Sequence, residues 1–384
     1  MHAFVGADAA AARLRTTALR NFAVVAHGTN YPGEYFQLKV PWKDAPVPAL
    51  LRLALELIGV EPSGPAEKVA WSAQFEFNGE SCTIAHAKFG VRMSIKSERP
   101  EGEAVETLRV ALQKLTAAVP TVERMILESA PETLARGDVT ISNQHRMLRR
   151  GYEYFRQRCE SPAFVADVDE EGVTSQGGKW YSHTSGANQM SLNAFHDLVA
   201  ATSAYVSFLE HVMVLALPFC GYEPKRDDLS AIIGDRWGLK WSHLFADDDA
   251  GSRLRQRLTE VLETWRHPYS HGGFEKGNTA TLFLHTPGVG ALPIGMSRVR
   301  DSPQFSLFPA AEEHIEDVFA LFDEIDEWLE QTIPFAMEWI RSGLPVRFDE
   351  DFRDSYKAAV EAGGFADFLN GHGYRHDNYQ NMDF

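Results

Sequence analysis

Two hydrophobic periods, one of strands and one of helices, succeed each other along the first third of the chain. Glu34 to Val40 (EYFQLKV) sets apolar and polar residues largely in turn, the two-residue period of a half-buried strand. Val47 to Ile58 (VPALLRLALELI) changes to helical spacing. Val69 to Phe77 and Ser81 to Ile95 alternate again on either side of Asn78-Gly79. Two residues that tolerate positive φ between alternating runs predict a hairpin. Glu101 to Ala118 predicts a helix with Glu103 and Glu106 near its positive end. Pro120 and Pro131 punctuate the stretch beyond it, and Ser142 to Cys159 predicts a further helix that is basic on one side. Trp42, Trp71, Phe75 and Phe77 are expected in the core of this half.

Between 161 and 190 the periodicity fails and Gly, Ser, Asp and Thr accumulate, the composition of a linker or long loop. From Ser191 the helical period returns. Ser191 is a candidate cap for a helix reaching about Leu217, where Pro218 and Gly221 stop it. Asp227 to Ile233 reads as a shorter helix and Gly238 to Phe245 as a poorly defined segment. Leu254, Leu258, Leu262 and Trp265 mark one face of a helix that begins near Ser252 and is ended or kinked at Arg266-His267-Pro268. Thr279 to Leu284 reads as a short strand, and Ala311 to about Ile340 as a long amphipathic helix with Ile315, Phe319, Phe322, Ile325 and Leu329 inward. The fold class expected is therefore α+β. A small α/β N-terminal domain (1–160) precedes a linker (161–190), an all-α helical bundle (191–341) and an irregular C-terminal tail (342–384).

A chain of 384 residues with 44% apolar and 23% charged residues suits two ordinary globular domains. The opening MHAFVGADAAAARLR lacks a basic segment followed by an apolar core, so no secretory signal is expected. Cys82, Cys159 and Cys220 are odd in number and widely spaced, which fits reduced thiols in the cytoplasm. Leu198 to Tyr222 is apolar enough to suggest a membrane span, but Glu210 and His211 at its centre and Pro218 near its end predict a buried helix and no membrane association. The net charge of −16 argues against a broad, sequence-independent grip on nucleic acid, which relies on Lys and Arg displacing counterions. It leaves room for an enzyme that holds a single phosphate with one or two arginines.

The segment Trp265-Arg266-His267-Pro268-Tyr269-Ser270-His271-Gly272-Gly273 carries the chemistry. Metal-independent RNA cleavage needs a proton taken from the ribose 2′-OH and one returned to the leaving 5′-oxygen. Histidine titrates in the range to do either. A fixed guanidinium stabilises the extra charge on the phosphorane. Arginine followed by histidine after four to six intervening residues also occurs at Arg20/His27 and Arg236/His243. Only Arg266/His271 combines a polar residue after the arginine with a preceding amphipathic helix and a following long one.

On Arg266, His267 and His271 the chain resembles the HEPN domain family, whose signature is Arg, then Asn, Asp or His, then a few residues and His. The resemblance spans roughly residues 190 to 341. It implies a four- or five-helix bundle, a homodimer whose two motifs share a cleft, and metal-independent endoribonuclease activity of the toxin, abortive-infection or antiviral kind. Gly273 stands where HEPN toxins modified by a partner nucleotidyltransferase carry tyrosine, which counts against that kind of pairing. RNA is then the substrate, with a regulatory trigger or partner protein expected beside it. The alternative is a non-catalytic HEPN-like module that binds a nucleotide, RNA or a protein.

Glu210 interrupts an apolar helix and shares a face with Ser203 and Ser207. It is a candidate to orient Arg266 or tune His271, against an ion pair confined to the bundle. His196 and His211 near the same stripe read as ordinary core or surface histidines. The acids from Glu312 to Glu330 lie opposite the apolar stripe and read as a solvated face. His372, His376 and Asp377 read as part of a polar tail. Gly-rich phosphate loops, Gly-x-Ser-x-Gly elbows and Cys/His zinc spacings are absent from the sequence, so no cofactor and no metal is expected.

Overall fold

The computed structural model describes residues 4–26, 29, 31–246, 248–270, 282–295, 299, 302–303 and 310–382. The chain divides into two units, one of residues 1–136 with 366–384 and one of residues 137–365. An antiparallel sheet in the first and helices in the second give the α+β class expected.

In the first unit the strands are β1 (Phe22–Val24), β2 (Glu34–Lys39), β3 (Pro62–Ser63), β4 (Val69–Phe77), β5 (Glu80–Ala87) and β6 (Gly90–Ser97). They pair antiparallel in the order β1-β4-β5-β6-β2, with β3 also on β4. Asn78 and Gly79, at φ of 51° and 84°, make the turn between β4 and β5. The stretch from 81 to 95 is two strands, because the turn at Lys88-Phe89 returns the chain at once. Helices α1 (Ala7–Thr16), α2 (Pro48–Leu57) and α3 (Glu101–Ala135) accompany the sheet. Phe75, Phe77, Cys82, Ile84, Met93 and Ile95 on one face of the sheet share a core with Leu108, Ala111, Leu115 and Val122 of α3. That buried face carries α3 past Pro120, where the sequence predicts interruption, and the helix runs on through Pro131 to Ala135.

The second unit contains α4 (His145–Glu160), α5 (Gly186–Ala216), α6 (Leu229–Gly234), α7 (Trp237–Phe245) and α8 (Asp249–Val261). After a widened turn (Leu262–Arg266) come α9 (His267–Ser270), α10 (Glu312–Thr332), α11 (Pro334–Ser342) and α12 (Glu350–Glu361). Helix α13 (Phe365–Asn381) leads back to the first unit, where the Lys68 N–H donates to the Met382 carbonyl at 2.9 Å. Strands β7 (Thr140–Ile141), β8 (Val168–Val173), β9 (Lys179–Thr184), β10 (Phe283–Thr286), β11 (Gly290–Pro293) and β12 (Val346–Arg347) pair two by two, β7 with β12, β8 with β9 and β10 with β11.

The single helix expected from Ala311 to about Ile340 is two, α10 and α11, because Pro334 starts a new helix after Ile333. Three further boundaries differ from the sequence reading. Helix α4 belongs to the helical unit, not to the N-terminal domain: Tyr152 is fully buried against Tyr205, Phe319 and Phe322. The supposed linker 161–190 holds the β8–β9 hairpin, whose residues are almost all exposed, so no apolar period marks it. It ends where α5 starts at Gly186, capped by Ser185 in place of Ser191. A Cβ at Gly186 would lie 2.0 Å from the Val165 carbonyl oxygen, so only glycine fits this crossing. The tail is also ordered as α12 and α13. Phe352, Tyr356 and Phe365 are buried, and Arg353, 5% exposed, donates to the carbonyls of Phe348 and Tyr222.

Helix α5 with the turn after it is long and apolar enough to cross a membrane, and 61% of its most apolar window is buried within the chain. It is the central helix of the bundle, packed on α4, α7 and α11. Tyr205 stacks on Phe322 of α10 at 4.0 Å and donates to Asp326 Oδ1 at 3.0 Å. Asp326 also pairs with Arg149, and Asp323 with Arg156 at 2.8 Å, so two acids of α10 serve the α4 interface and are not part of a wholly solvated face.

At the start of α4 the buried His145 Nδ1 has no hydrogen-bond partner among the described residues. Burial, then Arg149, His211, Arg341 and Arg146, push its pKa down from 6.5 to about 4. The unfolded chain thus takes up this proton at a higher pH than the folded one. The stabilising contribution is complete above pH 6.5 and is lost as pH falls towards about 4. Urea titrations across that window are expected to show a shallower pH dependence for His145→Phe than for the wild type; equal slopes would remove His145 as the cause.

Candidate functional site

Helix α8 is built from the pattern its sequence advertises. Asp248 caps it by accepting from the Gly251 N–H at 2.6 Å, and Leu254 and Leu258 face inward. The helix then widens over Leu262–Arg266 into a π turn, in which the His267 N–H reaches five residues back to the Leu262 carbonyl. Pro268 supplies the physical reason. It has no N–H for the Thr264 carbonyl, and its ring would collide with that carbonyl in a regular helix. Thr264 adds its own perturbation by donating its hydroxyl to the Glu260 carbonyl at 2.9 Å. Widening by one residue rotates everything beyond it by about 100° relative to a continuous helix. Such turns concentrate at functional positions.

Packing fixes the direction of this turn. Trp265 is buried edge-on to Phe195 of α5 at 6.4 Å and lies 5.7 Å from His314 of α10. Tyr269 meets Phe195 at 5.0 Å, and Pro268 is buried. Arg266 sits between these anchors, half-buried, with no hydrogen-bond or ion-pair partner among the described residues. His267 is half-buried beside it and is not without a partner. His271 lies outside the described residues, so the Arg266–His271 geometry is not part of the structure described.

The structure does not bring Glu210 to this place. It lies about 22 Å further along α5 than Phe195 at 1.5 Å per residue, beyond the reach of both side chains. Its partner is Lys240 of α7 at 3.5 Å, a lysine only 5% exposed that also donates to the Asp235 carbonyl at 2.6 Å. Ser203 and Ser207 donate to the carbonyls one helical turn back. The Nε2 of His211 accepts from the Gln144 N–H at 2.9 Å, and burial lowers its pKa. His196 contacts Phe195 at 5.4 Å. His372 packs on Phe368 within α13, which also contains His376 and Asp377.

Beside the π turn runs a groove of about 360 Å³ whose walls include Arg257, Glu260, Thr264, Trp265, His314 and Asp317. The sequence gives no signal for its exposed imidazole, His314, which stands in a run of acids at the start of α10. Nothing in the spacing links it to a motif almost fifty residues earlier. Burial pushes the thiols of Cys82, Cys159 and Cys220 up to about 12, so none supplies a thiolate near neutrality. Among the described residues no group of three or more His, Cys, Asp or Glu side chains is placed to hold a metal ion. Compared with protein-family models, curated proteins and solved structures, the chain finds no match in any of the three.

Proposed function

We propose that the helical unit is a HEPN-like endoribonuclease that cleaves RNA without metal. The observation that carries this reading is Arg266 itself. It is held half-buried at the end of a π turn that Pro268 follows two residues later, with His267 next to it in sequence and His271 five residues on. Arg266 holds the scissile phosphate. His271 handles the proton of the 2′-OH or of the leaving 5′-oxygen, and His267 assists. The 2′-oxygen forms a bond to phosphorus, the bond from phosphorus to the 5′-oxygen breaks, and one proton moves to that oxygen. The products are a 2′,3′-cyclic phosphate and a 5′-hydroxyl end. One His271 per chain does not easily serve both transfers, so the site is completed by a second copy in a homodimer. The biological setting that suits this chemistry is antiviral defence or growth arrest by a cytoplasmic toxin, released by a trigger or partner protein.

The net charge of −16 favours a second reading, in which the unit binds a nucleotide, RNA or a protein and cleaves nothing. The two readings part on substrates with the 2′-OH replaced by 2′-O-methyl. A nuclease of this mechanism cuts the natural strand in EDTA and leaves the methylated one whole; a binding module cuts neither.

A further inference from the structure

We propose that a cavity in the first unit, between Trp42 and Phe89, binds the base of a nucleotide and places the attached phosphate among neighbouring lysines, whether or not the helical unit cleaves RNA.

The cavity measures about 430 Å³ and lies where β2 ends, between the short turn Trp42–Asp44 and the β5–β6 turn. Val40, Ala45 and Val91 form its apolar floor, and His86 lines one side. Its size is within the range of small-ligand sites. Trp42 is 78% exposed and Phe89 75%, although a tryptophan and a phenylalanine each bury a large area when they join a core. The sequence reading places Trp42 in that core; the structure corrects it. Among the described residues neither ring packs against another aromatic, so their faces are open to a planar ligand. Two such rings at one cavity suit a base, since every base offers a π face.

Charge selects the kind of ring. Lys39 lines the cavity, while the exposed Lys43 and Lys88 are the sequence neighbours of Trp42 and Phe89. The β2–β6 register sets Lys39 beside Arg92 on the sheet face away from the core. The same face continues through Gln37 beside Ser94, then Tyr35 beside Lys96, whose ammonium sits 5.7 Å from the Tyr35 ring. In a chain with a net charge of −16 this is a local concentration of cations, with polar groups and an exposed tyrosine leading away from the cavity. These charges repel a cationic aromatic-cage ligand and attract a phosphate. Burial lowers the His86 pKa, which favours an uncharged imidazole on this side of the cavity. A free nucleotide and the end or loop of a single strand share this chemistry.

The test uses the full chain carrying Arg266→Ala, so that RNA is not consumed, at low salt in EDTA. A fluorescein-labelled oligouridine is the probe, followed by anisotropy, with AMP and UMP as competitors. The oligomer is expected to bind, and Trp42→Ala and Phe89→Ala each to weaken binding roughly 5- to 140-fold, the range for losing one stacked ring. Lys39→Ala is expected to lower the slope of affinity against salt by about one counterion. Circular dichroism of the ring variants should match the parent, since both rings lie at the surface. Displacement by a mononucleotide at concentrations near that of the oligomer identifies a free nucleotide as ligand. Displacement only at large excess identifies a strand. Binding of neither oligomer nor mononucleotide, or binding that both ring variants retain unchanged, overturns the proposal.

Discussion

Alanine at Arg266 or at His271 is expected to reduce RNA cleavage by about 10²- to 10⁴-fold each, the range for losing a charge-stabilising group or a proton-transfer group. The effects should not multiply in the double variant, because both groups act on one transition state. Arg266 extends from a turn anchored by Trp265, Pro268 and Tyr269, so truncating its half-buried side chain leaves that packing in place. The loss therefore falls on rate and not on folding, which a urea titration of the same protein checks. Glu210→Gln is the informative contrast. Its carboxylate pairs with Lys240, away from the π turn, so cleavage should stay at the wild-type rate. A binding scaffold would instead keep its cellular effect with at least one of the Arg266 and His271 variants.

The largest effect on stability is expected at Asp326. Alanine there should destabilise the helical unit by about 3 kcal/mol, towards the lower end for breaking a buried pair, because Asp326 and Arg149 both keep some contact with water. Two groups lose a partner by it. Arg149, under Tyr152 and Phe208, is left with the Glu153 carboxylate. Tyr205, fully buried, keeps only the Phe322 carbonyl as acceptor. Of the two ion pairs between α4 and α10 among the described residues, the Arg156–Asp323 pair is left. Asp317→Ala, an exposed acid on the same helix, should change stability by no more than about 0.5 kcal/mol. Equal effects of the two substitutions, read from urea midpoints, would mean that the network contributes nothing beyond a surface charge.

The contrast between these two acids shows where a sequence stops being readable. Asp326 falls four residues after Phe322, on the edge of the buried row, yet its partner Arg149 is 177 positions away. No local period reports such a pairing. Periodicity serves well where one face is buried and the other is wet. It marks the β4–β5 hairpin around Asn78-Gly79, helix α2, and α8 with Leu254 and Leu258. It fails where neither face is buried, as in the β8–β9 hairpin, and where glycines fall inside a helix with almost no buried face, as in α13. The break at Arg266 is legible because Pro268 forces one, but a π turn as the form of that break is not. Trp42 is misplaced by its sequence because an aromatic beside Val40 and Pro41 carries the same local signature whether it closes a core or walls a cavity.

The most direct test of the nuclease reading is incubation of purified full-length protein with mixed RNA in EDTA, beside the His271→Ala variant, with analysis of the new ends. Cleavage by the wild type alone, leaving 2′,3′-cyclic phosphate and 5′-hydroxyl ends, is the expected result. Cleavage that needs added metal, or that His271→Ala performs equally well, would contradict it.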